Sequence, residues 1–284
     1  MAIILKTILG LMTAGFGCYY LADALKNRAS FSGRPWSGLL GTGLITNFFD
    51  TLGIGSFAPQ TSIFKFFRLV DDRIIPGTMN VGNTMPTVTQ AFIFMTAVRV
   101  EPFTLVSLSL AAPIGAVLGA GVVARMSRPR IQFGMGVGLT AVALIILAGL
   151  LRLLPLGGEA IGLSGWKLAF AVVMSFVFGA LQTICVGFYA PCMALVYALG
   201  MHPLTAFPIM MTATAMLMAA GSARFVKEGA YDRMAALALT IAGIIGVFLA
   251  AFIVKSLPLT LLKWMVCAIV LYTAVWMFIS SARQ

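Results

Sequence analysis

The sequence predicts an all-α, polytopic helical membrane protein with about seven full spans, two re-entrant helical hairpins and an inverted internal repeat. Three observations lead to this fold class. The 284 residues are 61% hydrophobic and only 10% charged, with a mean hydropathy of +1.03. Apolar runs of about 20 residues, the length that crosses a bilayer as a helix, recur along the whole chain. Two longer apolar stretches are broken near their middles by the same Gly/Pro pattern.

The uninterrupted apolar runs give the predicted spans in chain order. They cover residues 5–25, 78–98, 103–124, 132–153, 204–222, 234–254 and 261–280. No small-x-small cleavage site follows the first run, so we interpret it as a retained helix. The polar connections are short, which predicts one integral membrane domain over residues 1–284. Within it we place a first transmembrane helix and loop at 1–36, repeat one at 37–153 and repeat two at 166–281.

The interrupted stretches, residues 37–69 and 166–199, share the pattern T-x-x-x-G-x-x-A-P. It is formed by Thr51, Gly55, Ala58 and Pro59 and again, 132 residues later, by Thr183, Gly187, Ala190 and Pro191. Gly and Pro inside an apolar run free backbone polar groups that lipid cannot satisfy, so such a break is buried in protein or lines a wet cavity. Matched breaks in two halves of a membrane protein indicate a transporter's binding site.

The distribution of Lys and Arg distinguishes two placements of these stretches. If both cross the membrane, its two sides carry 9 and 10 basic residues, whereas if both return to the side of entry, the sides carry 13 and 6. The positive-inside rule favours the second arrangement, with the N-terminus outside and the C-terminus in the cytoplasm. Each half then has an odd number of crossings, so the halves are inverted and the hairpin tips meet near the membrane midplane.

Several function classes are not expected. The net charge of +11 comes from basic residues at the ends of apolar runs, which fits a lipid bilayer as partner and not nucleic acid. The four cysteines form no CxxC motif or Cys/His cluster, so we expect no metal and no disulfide framework. HExxH, GxSxG and Walker motifs are absent from the sequence. We therefore expect neither an enzyme nor a cofactor.

The hairpin tips carry the candidate substrate-binding residues. A new helix begins after each break, and its free N–H groups and positive dipole end can hold an anion. The candidates are Thr51, Gly55, Ser56, Pro59 and Gln60 in the first tip and Thr183, Gly187, Tyr189, Pro191 and Cys192 in the second. Gly and Pro could instead serve only close helix packing, but the duplication favours a site. For Cys192, inert packing is the favoured interpretation.

Polar residues inside apolar runs supply further candidates. Asp50 is the acidic residue well inside such a run, where an ionisable group costs roughly 2.5–3.5 kcal/mol on insertion scales. It is a proton-coupling group, a carboxyl satisfied by hairpin amides, or one near the hairpin mouth. Asn83, Thr87 and Gln90 form one stripe of a predicted helix, and Thr212 belongs to a sparser stripe in the second half. Both stripes either line a pathway or bond neighbouring helices.

The two tips resemble the sulfite exporter TauE/SafE family of membrane permeases, in which each half begins with a glycine-rich stretch followed by a proline. The matching residues are Gly53-Ile-Gly55-Ser-Phe-Ala-Pro59 and Val186-Gly187-Phe-Tyr-Ala-Pro191. Both stretches have fewer glycines than the family pattern, and the aromatic residues Phe57, Phe188 and Tyr189 lie within them. The resemblance covers roughly residue 37 to the end, in layout more than in motif. It implies a small sulfur-containing anion, such as sulfite or an organosulfonate, as substrate, and a bacterial inner membrane as location.

The expected activity is therefore secondary transport by alternating access at a midplane site between the tips, with a proton as the candidate coupling ion. A passive anion channel with a hairpin-built filter is the alternative, because paired half-helices also build selectivity filters. An intramembrane enzyme or a structural subunit is a third class. The sequence contains no catalytic set for the enzyme, and a purely structural subunit would not need two polar-tipped hairpins.

Overall fold

The computed structural model describes residues 2–27, 36–53, 55–71, 74–123, 158–182, 188–256 and 259–282, together with single positions between 133 and 151. The regular elements of these regions are helices. They are α1 (Ala2–Lys26), α2 (Trp36–Thr51), α3 (Phe57–Phe66), α4 (Ile75–Ala97), α5 (Pro102–Val123), α6 (Gly165–Gln182), α7 (Tyr189–Ala198), α8 (Ala206–Glu228), α9 (Arg233–Ser256) and α10 (Leu259–Ala282). A 3₁₀ turn, Pro203–Thr205, precedes α8.

Four of the described helices are long and apolar enough to cross a membrane, which is compatible with a membrane protein. They are Ile3–Lys26, Gly165–Gln182, Pro203–Glu228 and Arg233–Ile253. The helices α4, α5 and α10 also begin and end within a few residues of predicted spans. The predicted span 132–153 lies largely outside the described residues. The helix α6 differs from expectation, because it was predicted as a half-helix and yet is long enough to span.

The helix α3 runs back along α2, and these two form the first helix pair. At its base, a β carbon on Gly38 would lie 3.8 Å from the side chain of Leu69. Nearer the turn, Nε2 of Gln60 donates to Oγ1 of Thr46 at 2.8 Å. From Gly38 to the end of α2 the pair extends about 20 Å at 1.5 Å per residue.

The second helix pair, α6 and α7, has the same construction. At its base, Nζ of Lys167 donates to the carbonyl of Leu199 at 3.2 Å. Towards the turn, the rings of Phe178 and Phe188 pack edge to face with centroids 6.2 Å apart. The helix α7 therefore runs antiparallel to α6, again over about 20 Å.

Each helix pair packs against a helix of the other half of the chain, through contacts that correspond residue by residue. On α2, a β carbon at Gly43 would lie 2.9 Å from Cα of Leu239 on α9. On α6, Oγ of Ser175 donates to the carbonyl of Leu108 on α5 at 2.7 Å. Ser175 follows Gly43 by 132 residues, and Leu239 follows Leu108 by 131. The α2–α9 crossing thus corresponds to the α6–α5 crossing.

A second pair of contacts at these crossings has the same offsets. Gly246 lies directly against the carbonyl of Leu44, and Gly115 lies directly against the carbonyl of Phe176. Neither glycine leaves room for a β carbon, so small residues set the close approach of the helices, as is common between membrane helices. The helices α4 and α8 pack together between the two crossings. The helix α1 packs mainly against α8 and is joined to α9 by an ion pair of 2.7 Å between Asp23 and Arg233.

Candidate functional site

The turn of the first helix pair is built on glycine. The last turn of α2 closes when the N–H of Gly53 donates to the carbonyl of Asp50 at 2.9 Å. Gly53 and Gly55 then adopt φ values of +95° and +86°, which favour glycine because a β carbon is disfavoured there. The chain reverses within these few residues, and α3 begins at Phe57.

The carboxyl of Asp50 lies at the N-terminal end of α3. Its Oδ1 accepts from the backbone N–H of Ser56 at 2.6 Å, and its Oδ2 accepts from Nε2 of Gln90 on α4 at 2.9 Å. Asp50 is 4% exposed, and none of its described hydrogen bonds comes from Lys or Arg. A negative group at a helix N-terminus is favourable, and here that group belongs to the protein itself.

Gln90 connects the two helix pairs. Its Nε2 also donates to Oγ1 of Thr51 at 3.0 Å, and its Oε1 accepts from the hydroxyl of Tyr189, the first residue of α7, at 2.9 Å. That hydroxyl interacts further with Thr87. Residues from both predicted tips and from the predicted α4 stripe therefore belong to one buried network, which we call the tip network: Asp50, Thr51, Ser56, Thr87, Gln90 and Tyr189.

A second group of buried amides lies one to two helical turns nearer the base of the first pair. Gln60 and Asn83 exchange hydrogen bonds of 2.7 and 3.0 Å. Oδ1 of Asn83 also accepts from Nδ2 of Asn47 at 3.0 Å. The amide of Gln60 thus faces α2 and α4 and not the turn. We call these residues, with Thr46, the amide cluster, and its fully buried bonds hold α2, α3 and α4 together.

The second helix pair contributes fewer polar groups. Thr183 and Gly187 lie outside the described residues. Tyr189, Pro191 and Cys192 are buried in the first turn of α7, and Phe188, the residue before it, makes no capping hydrogen bond with its side chain. The start of α7 therefore has no equivalent of Asp50 at Phe188.

Thioether side chains face the glycine turn from the second half. A β carbon at Gly53 would lie 2.8 Å from Sδ of Met193 on α7 and 3.6 Å from Cε of Met210 on α8. Methionine fills irregular gaps and adapts its shape. The turn of the first pair thus has a polar neighbour in Gln90 and an apolar, adaptable one in Met193.

Some buried polar atoms make no hydrogen bond to any described residue. They include Oδ1 of Asn47, Oε1 of Gln182, Oγ1 of Thr212 and Oγ1 of Thr214. Most buried polar atoms in folded proteins have a partner, including water or ligand atoms. The hydroxyl of Thr212, a residue predicted to line a pathway, can therefore still accept a hydrogen bond from such a partner or donate one to it.

Not all sequence-predicted residues enter these networks. Gly55 and Pro59 are half-buried, and a β carbon on Gly55 would meet nothing within 4 Å. The stripe residues Asn83, Thr87 and Gln90 are almost fully buried in hydrogen bonds, so they face no open pathway in this conformation. Thr46, Met193 and Met210 were not selected from the sequence. The signal for Thr46 was available, because it precedes Asp50 by four residues and shares its helix face.

Comparisons with models of known protein families, with curated proteins and with solved structures found no match. The resemblance to the sulfite exporter family therefore stays a prediction from the sequence. The tip network itself offers neutral donors and one carboxyl to whatever binds beside it.

Proposed function

We propose that the chain is a secondary transporter that carries a small sulfur-containing anion, such as sulfite or an organosulfonate, across a bacterial inner membrane. The anion would bind between the two tips and reach either side by alternating access. The observation that carries this proposal is the tip network, in which Gln90 joins Asp50 of the first helix pair to Tyr189 of the second. Buried polar groups at such a meeting point mark transporter sites.

Placing both helix pairs as re-entrant hairpins is part of the proposal. Each pair is about 20 Å long, shorter than the hydrocarbon core of about 30 Å, so its turn would end inside the membrane. The 13-to-6 distribution of basic residues supports the same placement. Although α6 is long enough to span, the contact between Lys167 and Leu199 supports α7 returning to the level at which α6 starts.

The reciprocal crossings support an inverted repeat. Because the α2–α9 contacts correspond to the α6–α5 contacts at offsets of 132 and 131 residues, either half could adopt the arrangement of the other at similar cost. Exchange of such arrangements between halves is the usual basis of alternating access. The burial of Asn83 and Gln90 favours a carrier in a closed state over an open channel.

The charge of the substrate determines the free energy of moving it inward or outward across the membrane. In a cell that is negative inside, outward movement of an anion is downhill by about 2.3 kcal/mol per charge per 100 mV. Export would therefore need no coupling ion, whereas uptake would need one. The sulfur class of the anion comes from the family resemblance alone.

The test is flux through the purified full chain in liposomes, with labelled sulfite, thiosulfate and ethanesulfonate. We expect saturable flux and exchange of internal for external anion. Tyr189→Phe removes the hydroxyl that joins the tips and should lower transport about tenfold, the effect of roughly 1.4 kcal/mol. Tyr272→Phe, on the exposed face of α10, is the matched control and should transport normally. Flux that does not saturate would replace the carrier by a channel, and no anion flux would overturn the proposal.

A further inference from the structure

The N-terminal end of α3, where the sequence predicts a bound anion, is already occupied by a carboxyl of the protein. We propose that Asp50 is a tethered anion that the transported anion displaces, so that one proton and one anion bind together. This inference rests on the proposed anion transport and adds its coupling ion and stoichiometry.

The geometry gives the first step of the argument. The hydrogen bonds to Asp50 come from the N–H of Ser56 at 2.6 Å and from Nε2 of Gln90 at 2.9 Å. The side chains of Ser56 and Tyr189 also interact with this carboxyl. While the carboxyl is ionised and holds the N–H of Ser56 and Nε2 of Gln90, a second anion cannot take these two donors.

The charges around Asp50 give the second step. Among the described residues, Ser56 just before α3 and Gln90 on α4 face Asp50, while α9, which packs on α2, presents Gly243 beside Asn47. The titratable groups that face Asp50 are Tyr189 on α7 and, behind it, Cys192, and both are neutral in their ordinary forms near pH 7. No described cation offsets a second negative charge, so an ionised Asp50 and a bound anion exclude each other.

The exchange balances without any further reactant. A proton from water adds to a carboxylate oxygen of Asp50, and Ser56 and Gln90 turn their N–H groups to the arriving anion. The neutral acid can then donate its O–H to an anion oxygen. When the anion leaves, the proton returns to water and the carboxylate takes back both donors.

The second half has no equivalent group, which fixes the ratio. The residue 132 positions after Asp50 is Gln182, a neutral amide whose Oε1 has no described partner. At the start of α7, Phe188 supplies no side-chain cap. Only the first tip therefore exchanges a carboxylate for the substrate, and one proton accompanies each anion.

The test measures anion affinity against pH with the purified full chain. The probes are sulfate, thiosulfate and ethanesulfonate, which keep one charge state between about pH 5.5 and pH 8, far from their own pKa values. In the wild type, the apparent Kd should fall about tenfold for each unit of falling pH while Asp50 of the free protein is ionised, because one proton then binds with each anion, and should level off once that carboxyl is protonated. In Asp50→Asn the neutral amide replaces the protonated acid, so binding should be independent of pH. Asp71→Asn removes the same charge outside the two tips and should keep the wild-type slope.

A second measurement covers the case in which Asp50→Asn fails to fold. When the anion is added to the wild-type protein in weak buffer, the pH should rise. The size of the rise should correspond to the uptake of about one proton per bound anion. Equal slopes in the wild type and Asp50→Asn, or anion binding without proton uptake, would overturn the inference and leave anion transport standing. No binding of any probe, combined with no anion flux in liposomes, would overturn both.

Discussion

At the scale of single residues, Gln90 has the most demanding position, since each end of its amide serves a different helix pair. Replacing Gln90 by Leu would remove one hydrogen bond each from Asp50, Thr51 and the Tyr189 hydroxyl in a buried site. A typical hydrogen bond of this kind contributes about 0.5–1.5 kcal/mol. We expect Gln90→Leu to lower the free energy of unfolding by at least that amount, measured by equilibrium unfolding in mixed micelles.

The matched control for Gln90 lies on the same helix. Thr89 is half-buried, and among the described residues its hydroxyl bonds only the carbonyl of Met85 in its own helix. Thr89→Val removes that local bond and keeps the shape of the side chain, so it should change stability little. Similar losses in the two variants would contradict the central role of Gln90.

The glycine turn allows a steric effect to be separated from a backbone effect. Gly53 and Gly55 both have positive φ, so alanine is strained at either position. Only at Gly53 would the new β carbon also press on Met193, at 2.8 Å, whereas at Gly55 it would enter open space. We expect Gly53→Ala to destabilise by about 1 kcal/mol more than Gly55→Ala, the low end of the cost of overpacking, because the flexible end of Met193 can shift.

Shortening the opposing side chain tests the cause of that difference. Met193→Ala in the Gly53→Ala protein should recover part of the lost stability, measured by unfolding in the same micelles. If both alanine variants lose the same stability, or if Met193→Ala brings no recovery, the two tips do not press on each other at this point.

The residue scale also shows how far the candidate site follows from sequence. The position of Asp50 inside an apolar run and the spacing of Asn83, Thr87 and Gln90 on one face were enough to select them. The sequence could not tell that Gln60 turns towards Asn83 and not towards the tip, because both orientations satisfy an amide. The contact between Gly53 and Met193 joins distant parts of the chain, and no local sequence pattern predicts such a contact.

At the scale of elements, the start of α5 gives a pH-dependent test. Glu101 precedes α5, and its carboxylate accepts from the N–H groups of Phe103 at 2.9 Å and Thr104 at 2.6 Å. Partial burial alone would raise the pKa of Glu101, but these two backbone donors outweigh it and hold the pKa below the usual 4.5. The carboxylate thus stabilises the folded state fully above about pH 4.5, and this contribution is lost as the pH falls through the lower folded-state pKa.

Replacing Glu101 by Gln should therefore matter only at higher pH. We expect Glu101→Gln to cost about 1 kcal/mol near neutral pH, as loss of a helix cap does, and to match the wild type more closely in acid, measured by thermal unfolding across pH. Glu228→Gln is the control, because its ion pair with Arg224 is exposed and such pairs contribute little. A Glu101 effect that stays constant with pH would contradict the capping role.

Helix bounds were the more predictable part of the fold. The helices α4, α5 and α9 lie close to predicted spans because long apolar runs between polar connections determine them. The length of α6 was underestimated, because the Gly/Pro pattern was placed at the middle of residues 166–199 and α7 takes only 10 residues after it. A break in the sequence locates a turn but does not divide the two arms equally.

At the scale of the whole molecule, the correspondence between the two crossings was only partly visible in the sequence. Gly43 corresponds to Ser175, and different residues at equivalent positions can make equivalent contacts, one by van der Waals approach and the other by a hydrogen bond. Sequence identity between halves therefore underestimates how similarly they pack. The matched Gly/Pro breaks were visible in the sequence because a chain reversal restricts its residue types more than a helix crossing does.

The membrane placement of the helix pairs determines which loops share a side, and labelling of single cysteines can measure this. With the four native cysteines replaced, cysteine would be introduced singly at Asn27, Phe67 and Glu159. If both pairs are re-entrant, positions 27 and 67 lie in the cytoplasm and position 159 lies outside, in line with the excess of basic residues on the inner side. If both interrupted stretches cross, positions 27 and 159 share a side and position 67 lies opposite. A membrane-impermeant maleimide added to intact cells should therefore label only the cysteine at 159, and labelling at 67 without labelling at 159 would require spanning pairs and exclude an inverted repeat built on hairpins.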